Sequence, residues 1–307
     1  MTALESIAVN GYPRMVVARA GDSIADLCRE TRRSDLRSLL VRHGVLVLRG
    51  SRVGDIEAFR DFVRGFSGKD LFDYAGGASP RHQTKASRVY NSTDYPPELS
   101  IPLHNELSYS RIYPVHLFFM CVNRADEGGH TTLGDGRRIL KAVDRDVVEE
   151  LRKRGICYIR NLVRERGSGY SWPEAFDTED KRLVEDICTK SGADFRWVAG
   201  GTLQIRQVRP AIIAHPVTGE EVWFNQAAGF YFDRSKSDPA IEPRLESTFG
   251  DGEPIPAAMI EHISKVLEEQ TVAHDWKVGD IVVLDNILTE HGRMPFAGTR
   301  EIILAMT

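Results

Sequence analysis

The sequence has few cysteines, no long apolar run and no secretion signal. Its four cysteines show no Cys-x-x-Cys spacing: Cys28, Cys121, Cys157 and Cys188. Neither a zinc knuckle nor a disulfide framework is therefore expected, and the thiols fit a reducing compartment. No apolar stretch approaches the ~20 residues that span a bilayer, and the N-terminal stretch lacks the charged-then-apolar order of a signal peptide. We expect a cytoplasmic protein that has no membrane partner.

The chain also lacks an excess of charge of either sign. Among its 307 residues, 40 are Lys or Arg and 44 are Asp or Glu, which gives a formal net charge of -4. Nucleic-acid binding usually needs a basic excess or a basic stripe, so no nucleic-acid partner is expected. The composition is that of an ordinary globular protein, and the length is sufficient for a full core.

Helix and strand patterns alternate in the first fifth of the chain. The pair Asp22-Ser23 is a suitable cap for a helix that ends at His43. The apolar run Val45–Gly50 predicts a buried strand, and a second helix is expected over Val53–Phe66.

Short strand patterns dominate beyond residue 100. Residues 67–102 have little periodicity and are expected to form long loops over a site. A strand is predicted at Val115–Val122, and helices at Gly136–Arg154 and Pro254–Gln270. We predict an α+β fold, a double-stranded β-helix (jelly roll) core with flanking and inserted helices. An α/β extension would precede the core, and a helical insert would occupy the middle third.

Three residues form the strongest candidate metal site. His104 and Glu106 stand two apart in PLHNELSY, and His291 lies in LDNILTEHGRMPF. Residues i and i+2 of a strand point to one face, so His104 and Glu106 are predicted to project from one strand end, with Asn105 turned away. His291 is expected at the end of a rigid strand. Two imidazoles and a carboxylate hold Fe(II) while leaving positions open for a co-substrate and O₂.

An iron oxygenase of this kind needs a two-electron donor such as a 2-oxo acid. The planar fork of arginine suits the distal carboxylate of such an acid. Arg293 and Arg300 both follow the late histidine, and Arg300 is preferred because it opens the last predicted strand. A hydroxyl at the same anchor would come from Thr131 or Thr132.

The candidate substrate contacts are less firmly indicated. They are Asn91, Asp94, Phe224 and Asn225. Asp94 suits a substrate ammonium, but Asn and Asp also favour turns for their own reasons, and Phe224 is equally suited to a core. Asp285 and Asn286 are expected to brace the turn before His291.

In combination these segments resemble the Fe(II)/2-oxoglutarate-dependent dioxygenases of the taurine dioxygenase and clavaminate synthase-like superfamily. The similarity is strongest to the branch of amino-acid hydroxylases from natural-product pathways. It rests on IPLHNELSY, EGGHTTLGDGRRIL, HPVTGEEVWFNQ and LDNILTEHGRMPFAGTREIILAM, which spread over about two-thirds of the chain. The resemblance implies one catalytic domain over residues 1–307 that uses Fe(II), 2-oxoglutarate and O₂.

The resemblance also assigns roles to residues. It implies that His104, Glu106 and His291 ligate iron and that Thr131 and Arg300 hold 2-oxoglutarate. Many relatives have the anchoring arginine about 14 residues after the distal histidine, where this chain has Ala305. The carboxylate of Glu106 disfavours halogenation, because related halogenases lack it to make room for chloride.

The expected reaction is hydroxylation of an unactivated C–H bond, with succinate and CO₂ as co-products. The substrate would be an amino acid, free or bound to a carrier protein, or a related small molecule. Desaturation or cyclisation would use the same iron chemistry. Two other classes remain open: a zinc hydrolase or cupin-like isomerase that uses the same three ligands, and a jelly-roll binding protein without activity.

Overall fold

The structure is a computed structural model. It describes residues 12–17, 33–50, 55–78, 88–92, 95–166, 171–238 and 242–307. Helices and strands are numbered in chain order within these ranges.

The largest sheet has six strands. In spatial order they are β1 (Arg14–Val17), β2 (Val45–Arg49), β15 (Ile281–Asp285), β5 (His116–Asn123), β18 (Glu301–Met306) and β3 (Tyr90–Asn91). All neighbours are antiparallel except β1 and β2. The central strands β2, β5 and β15 are almost continuously apolar because both of their faces are buried.

A second, four-stranded antiparallel sheet carries the metal-site candidates. Its order is β14 (Val272–His274), β7 (Thr131–Asp135), β16 (Thr289–Arg293) and β4 (Ile101–His104). Leu133 of this sheet packs in one buried cluster with Phe119, Leu284 and Ile302 of the six-stranded sheet. The two sheets therefore enclose a common core.

The other face of the six-stranded sheet is covered by helices α1 (Arg33–His43) and α2 (Ile56–Ser67). Helix α2 begins after Asp55, whose side chain accepts the Ala58 N–H at 2.8 Å. Of the first predicted helix, residues 33–43 are helical, and the proposed cap at 22–23 lies outside the described residues. Val53, the predicted start of the second helix, also lies outside them.

The middle third is richer in strands than predicted. An antiparallel sheet in the order β13 (Leu245–Phe249), β8 (Ile156–Leu162), β10 (Leu203–Arg209) and β9 (Asp194–Trp197) accompanies its helices. Two-stranded ladders join β11 (Ile212–Ala214) to β12 (Glu221–Trp223) and β6 (Glu127–Gly128) to β17 (Phe296–Ala297). Short 3-10 turns occupy Ala199–Gly201 and Arg234–Lys236.

The helices of the second half complete the fold. They are α3 (Gly136–Ala142), α4 (Arg145–Arg154), α5 (Trp172–Ala175), α6 (Lys181–Lys190), α7 (Ala227–Phe230) and α8 (Ala257–Glu269). The predicted single helix at 136–154 is two helices, because Val143 and Asp144 have extended ψ angles of 136° and 138°. Within the described ranges, no helix has the length and apolarity to cross a membrane.

Candidate metal centre

His104, Glu106 and His291 converge as predicted. One ligand atom from each lies within 4.8 Å of the others. The Nε2 atom of His291 is 3.9 Å from Oε2 of Glu106, and the two imidazole centroids are 4.3 Å apart. Glu106 and His291 are buried, and His104 is half-buried. Two nitrogens and one carboxylate oxygen at this spacing fit a single Fe(II) ion with only small side-chain movements.

The two histidines are placed by neighbouring strands. His104 is the last residue of β4 and pairs directly with His291, which lies inside β16 and not at its end. The Nδ1 atom of His104 lies 2.9 Å from the Pro102 carbonyl oxygen. Because a carbonyl only accepts hydrogen bonds, Nδ1 carries the proton, and Nε2 presents its lone pair to a metal.

Glu106 reaches the site from a turn, which corrects the predicted strand geometry. Strand β4 ends at His104, and Leu107 has a left-handed φ of +55°. Asn105 is fully buried and donates its amide to the Asn286 carbonyl at 2.7 Å. Strand alternation therefore predicted the correct side for the Glu106 carboxylate. The chain reaches that side through a turn and not as a continuing strand.

Asn286 fixes this turn from both sides. Its Oδ1 accepts the Glu106 N–H at 2.8 Å, and its Nδ2 donates to the Glu106 carbonyl at 3.0 Å and to Pro114 O at 2.8 Å. Asp285 Oδ1 accepts the N–H groups of Ile287 and Leu288. Both residues therefore brace the loop between β15 and β16, as expected from the sequence, and Asn286 connects it to the metal ligand.

His215 supports the same loop, although no sequence signal singled it out. Its Nδ1 accepts the Thr218 N–H at 3.1 Å, so Nε2 carries the proton and donates to Asp285 Oδ2 at 3.0 Å. Both side chains are almost fully buried. His215 stands in the segment HPVTGEE, where histidine next to a turn gives no indication of a partner 70 residues away.

Arg293 and Arg300 have different surroundings. The Arg293 guanidinium donates to the carbonyls of Tyr95, Pro96 and Leu99, so it holds the loop that leads into β4. Burial lowers its pKa.

Arg300 donates from Nε to Gly129 O at 3.0 Å and from one terminal nitrogen to Ser92 Oγ at 3.2 Å. Burial lowers the pKa of this guanidinium, and the charge of Arg293 lowers it further. No carboxylate within the described ranges forms an ion pair with it. A buried guanidinium without a carboxylate partner in these ranges favours the binding of an anion.

Thr131 lies close to Arg293 and to Gly129, the residue that accepts a hydrogen bond from Arg300. It stands in β7 opposite Arg293, two residues along from Leu133, which pairs with His291. Its hydroxyl accepts the Trp276 indole N–H at 3.0 Å, which leaves its own proton for a ligand. Gly129, the acceptor for Arg300, is only two residues away, whereas Thr132 occupies the alternate face of the strand.

The proposed substrate contacts are dispersed. Asn91 is half-buried in β3 and pairs with Ile303, and Asp94 lies outside the described residues. Phe224 is 2% exposed, in a core cluster with Val222 and Leu288. Asn225 donates to Ala211 O and accepts the Ala227 N–H, so both ends of its amide are used. The structure does not bring Phe224 and Asn225 to the metal ligands.

A cavity of about 130 Å³ borders His104. Its wall contains Tyr95, Leu103, Phe230 and Gln226. Gln226 follows the predicted pair 224–225, and its amide donates to the Asn105 carbonyl at 2.7 Å. Gln226, and neither Phe224 nor Asn225, is therefore among the residues that line this cavity.

Glu290 lies beside His291 in β16 but is directed to the other face. Its side chain is fully buried, and neither carboxylate oxygen has a hydrogen-bond partner within the described residues. Burial raises its pKa well above the usual value for glutamate. The neutral acid is therefore favoured at this position, and Glu106 is the only glutamate of the two that faces the histidines.

Comparisons with known proteins agree with this geometry. The family model "Taurine catabolism dioxygenase TauD, TfdA family" matches residues 9–307. The dapdiamide synthesis protein DdaC of Enterobacter agglomerans is 32% identical over 97% of this chain and 92% of its own length. A clavaminate synthase-like protein of Arabidopsis thaliana is 32% identical over 90% of this chain and 85% of its own length.

Solved structures show the same fold at low identity. AAD-2, determined with Mn(II) and N-oxalylglycine, has a TM-score of 0.61 at 16% identity and covers 100% of this chain and 97% of its own. PvcB of Pseudomonas aeruginosa has a TM-score of 0.57 at 17% identity and covers 95% of this chain and 84% of its own.

The family match spans nearly the whole chain, and the family's metal-ligand pattern converges in the structure. The enzyme class and the cofactors expected from the sequence are therefore confirmed: a dioxygenase that uses Fe(II), 2-oxoglutarate and O₂. This chain belongs to the TauD/TfdA family of dioxygenases.

Proposed function

We propose that the enzyme hydroxylates an unactivated C–H bond of an amino acid or an amino-acid-derived small molecule in a natural-product pathway. Residues 1–307 would form one catalytic domain, with the two facing sheets as a double-stranded β-helix. The observation that carries the proposal is the convergence of two histidines with a carboxylate, Glu106, within 4.8 Å. The carboxylate favours hydroxylation over halogenation, since it fills the ligand position that a halide would need.

The chemistry supplied by iron, 2-oxoglutarate and O₂ together is the oxidation of the C–H bond, with succinate and CO₂ as co-products. The protein holds the ion through His104, Glu106 and His291, and Asn286 keeps the Glu106 turn in place. These contacts preorganise the ligands, so little rearrangement accompanies binding.

Arg300 and Thr131 would hold the distal carboxylate of 2-oxoglutarate. Support comes from the unsatisfied charge of Arg300, its contact with Gly129 and the available proton of Thr131. Arg293 is the weaker candidate because three backbone carbonyls already occupy its guanidinium. A charge-assisted bond to a carboxylate is stronger than one to a neutral carbonyl.

The names of the relatives support a small-molecule substrate. One takes part in dapdiamide synthesis, and pentalenolactone F synthase of Streptomyces arenae is 23% identical over 95% of this chain. Desaturation or cyclisation would use the same ligands and is the second candidate. A non-oxidative cupin-like reaction would have no use for Arg300 and Thr131.

The test begins with purified enzyme under anaerobic Fe(II) and 2-oxoglutarate. We expect the weak visible charge-transfer band of an iron–2-oxoglutarate chelate, and its loss in Glu106→Ala. His262→Ala serves as the matched control, since His262 lies on helix α8 outside the site, where its Nε2 accepts the Asp144 N–H. Free and carrier-bound amino acids are then screened for stimulated succinate formation. A product heavier by one oxygen atom indicates hydroxylation, and loss of two hydrogens indicates desaturation or cyclisation. An unchanged band in Glu106→Ala would contradict the ligand assignment.

A further inference from the structure

A second cavity, of about 190 Å³, lies beside the metal-site turn. Leu107, the residue after Glu106, forms part of its wall, together with Phe72, Phe176 and Ile187. The cavity also contains one deeply buried charged side chain, Arg160 of β8, which is 4% exposed. The other charged residues of the wall, Asp73 and Lys190, are exposed, and Asp73 pairs with Arg88.

Arg160 has polar contacts but no counter-charge. Its two terminal nitrogens donate to the Gly76 carbonyl and, at 3.2 Å, to Gln207 Oε1. Its guanidinium stacks 4.7 Å from the Tyr109 ring centroid. No Asp or Glu within the described ranges forms an ion pair with it. Burying a cation without an anion is costly, so a cavity at such a group favours an anionic ligand.

The surrounding atoms leave donors for such a ligand. A guanidinium has five N–H groups, and within the described residues Arg160 donates two hydrogen bonds. Ser110 also lines the cavity and is 8% exposed. Its hydroxyl oxygen accepts the Ile112 N–H, which leaves its own proton free to donate.

The Arg160 cavity and the His104 cavity are lined by neighbouring parts of one segment. Gly76 lines the former and Ala78 the latter, so their walls meet within two residues, about 7 Å at most. The Ala78 N–H donates to the Tyr109 hydroxyl at 2.6 Å. Burial raises the pKa of Tyr109, and both Arg160 and Glu106 exert charge effects on its hydroxyl. Tyr109 is therefore close enough to feel the charges of both Arg160 and Glu106.

We propose that Arg160, with Ser110, binds a free carboxylate of the substrate while another part of the same molecule lies at the metal. The wall of the Arg160 cavity includes Leu107, the residue after Glu106, and this proximity to the metal-site turn favours a small substrate such as an amino acid. This inference deepens the proposed hydroxylase function and rests on it. It also selects among substrate forms, since an aminoacyl thioester on a carrier has no free carboxylate.

The experiment compares free amino acids with their primary carboxamides in the substrate-stimulated succinate assay with the iron-loaded enzyme. At least one free acid should stimulate turnover, and its carboxamide should have a kcat/KM lower by roughly 10- to 100-fold, the contribution of a charge-assisted hydrogen bond. Stimulation by carrier-bound aminoacyl thioesters alone, or equal values for acid and amide, would overturn the proposal. So would a failure of every free acid to stimulate.

Gln207→Glu tests the role of the charge without removing the arginine. This isosteric change places a carboxylate where Oε1 now lies, 3.2 Å from Arg160. A purely structural Arg160 would be held as well or better, and Tm would be unchanged or higher. An anion-binding Arg160 would be neutralised, so KM for the free acid should rise roughly 10- to 100-fold and the preference for acid over amide should disappear.

Two further variants complete the design. Gln204→Glu is the control variant: it adds the same charge to β10, but beside Arg196 and not beside Arg160. It should therefore keep the preference for the free acid over its carboxamide. Arg160→Met should abolish that preference and keep the iron–2-oxoglutarate band, which also shows that the variant is folded. If acid preference survives in Gln207→Glu, the inference is wrong although the enzyme remains an oxygenase. If wild-type enzyme shows neither the band nor any 2-oxoglutarate turnover, the proposed function itself has failed.

Discussion

The buried polar groups around Glu106 and those around Arg160 differ in how completely they are paired with one another. Around Glu106, the loop from 285 to 288 and the turn at 105–106 use their amides and carbonyls on one another. Around Arg160, a buried cation lies at a cavity, and its hydrogen-bond partners in the described part of the chain are neutral. The first arrangement is suited to holding a fixed set of ligands, and the second is suited to accepting a variable molecule. If the proposal for Arg160 holds, the metal ligands and the substrate carboxylate site lie on different sheets, because Arg160 belongs to β8 of the β13-β8-β10-β9 sheet.

The largest expected effect comes from removing a metal ligand. Glu106→Ala or His291→Ala should lower substrate-dependent succinate formation by at least about a thousandfold, because iron retention and its open positions both depend on three ligands. Turnover is measured with iron content determined on the same samples. Wild-type turnover in either variant would remove the basis for treating the Glu106 end as the catalytic one.

Arg300→Met should raise KM for 2-oxoglutarate about 100-fold with little change in Tm, since a bond to a charged group contributes about 1.5–3 kcal/mol. Arg293→Met is the matched comparison. It should instead lower Tm, because three carbonyls of the 95–99 loop lose their donor. Both are measured by initial rates over a 2-oxoglutarate series and by thermal unfolding. The opposite pattern would make Arg293 the anchor.

Asn286→Ala should weaken iron binding by about 10- to 100-fold, the usual effect of losing a group that orients a ligand. Its side chain satisfies the Glu106 N–H and two carbonyls, all buried. Iron affinity is measured by titration followed at the charge-transfer band. His215→Ala, one contact further away through Asp285, should have a smaller effect, and an equal effect would show that the loop moves as one unit.

The smallest effect is expected at Phe224. Phe224→Leu should cost about 1 kcal/mol of folding free energy, as for a near-volume-conserving core change, and leave kcat/KM for the substrate unchanged. Its burial beside Leu288 and its ring contact with Tyr113 at 4.8 Å support this expectation. Denaturant unfolding and initial rates give the two quantities. A change in KM without a change in stability would return Phe224 to the substrate wall.

Prediction from the sequence succeeded where a residue type is tied to one chemistry. Short motifs predicted the convergence of His104, Glu106 and His291, and they also predicted that Asp285 and Asn286 brace the adjoining loop. It was less successful where a residue type has several uses. Phe224 and Asn225 were predicted as substrate contacts, with Phe224 equally suited to a core, and the structure has Phe224 packed in a core cluster and Asn225 hydrogen-bonded to the backbone.

Some helix and strand boundaries in the structure could not be predicted from hydrophobic periodicity. The helical pattern over 136–154 is continuous in the sequence, but Asp144 begins a new helix. His291 looked like a residue at a strand end, although pairing with β4 and β7 extends the strand through it. Pairing partners lie more than 150 residues away in the chain, so a local window contains no trace of them.

The sequence by itself determined the family, the three candidate metal ligands and the alternation of strands and helices, because these depend on residue type and short spacing. Only the tertiary structure decided that Glu106 arrives from a turn and that Arg160 is a buried cation beside a cavity. It also decided that Arg293 donates to three carbonyls, whereas Arg300 donates to one carbonyl and one hydroxyl. The reason is physical: burial and the identity of a side chain's partners depend on segments brought together by folding. An arginine has the same chemistry everywhere in the sequence, and its surroundings alone decide whether it braces a loop or binds an anion.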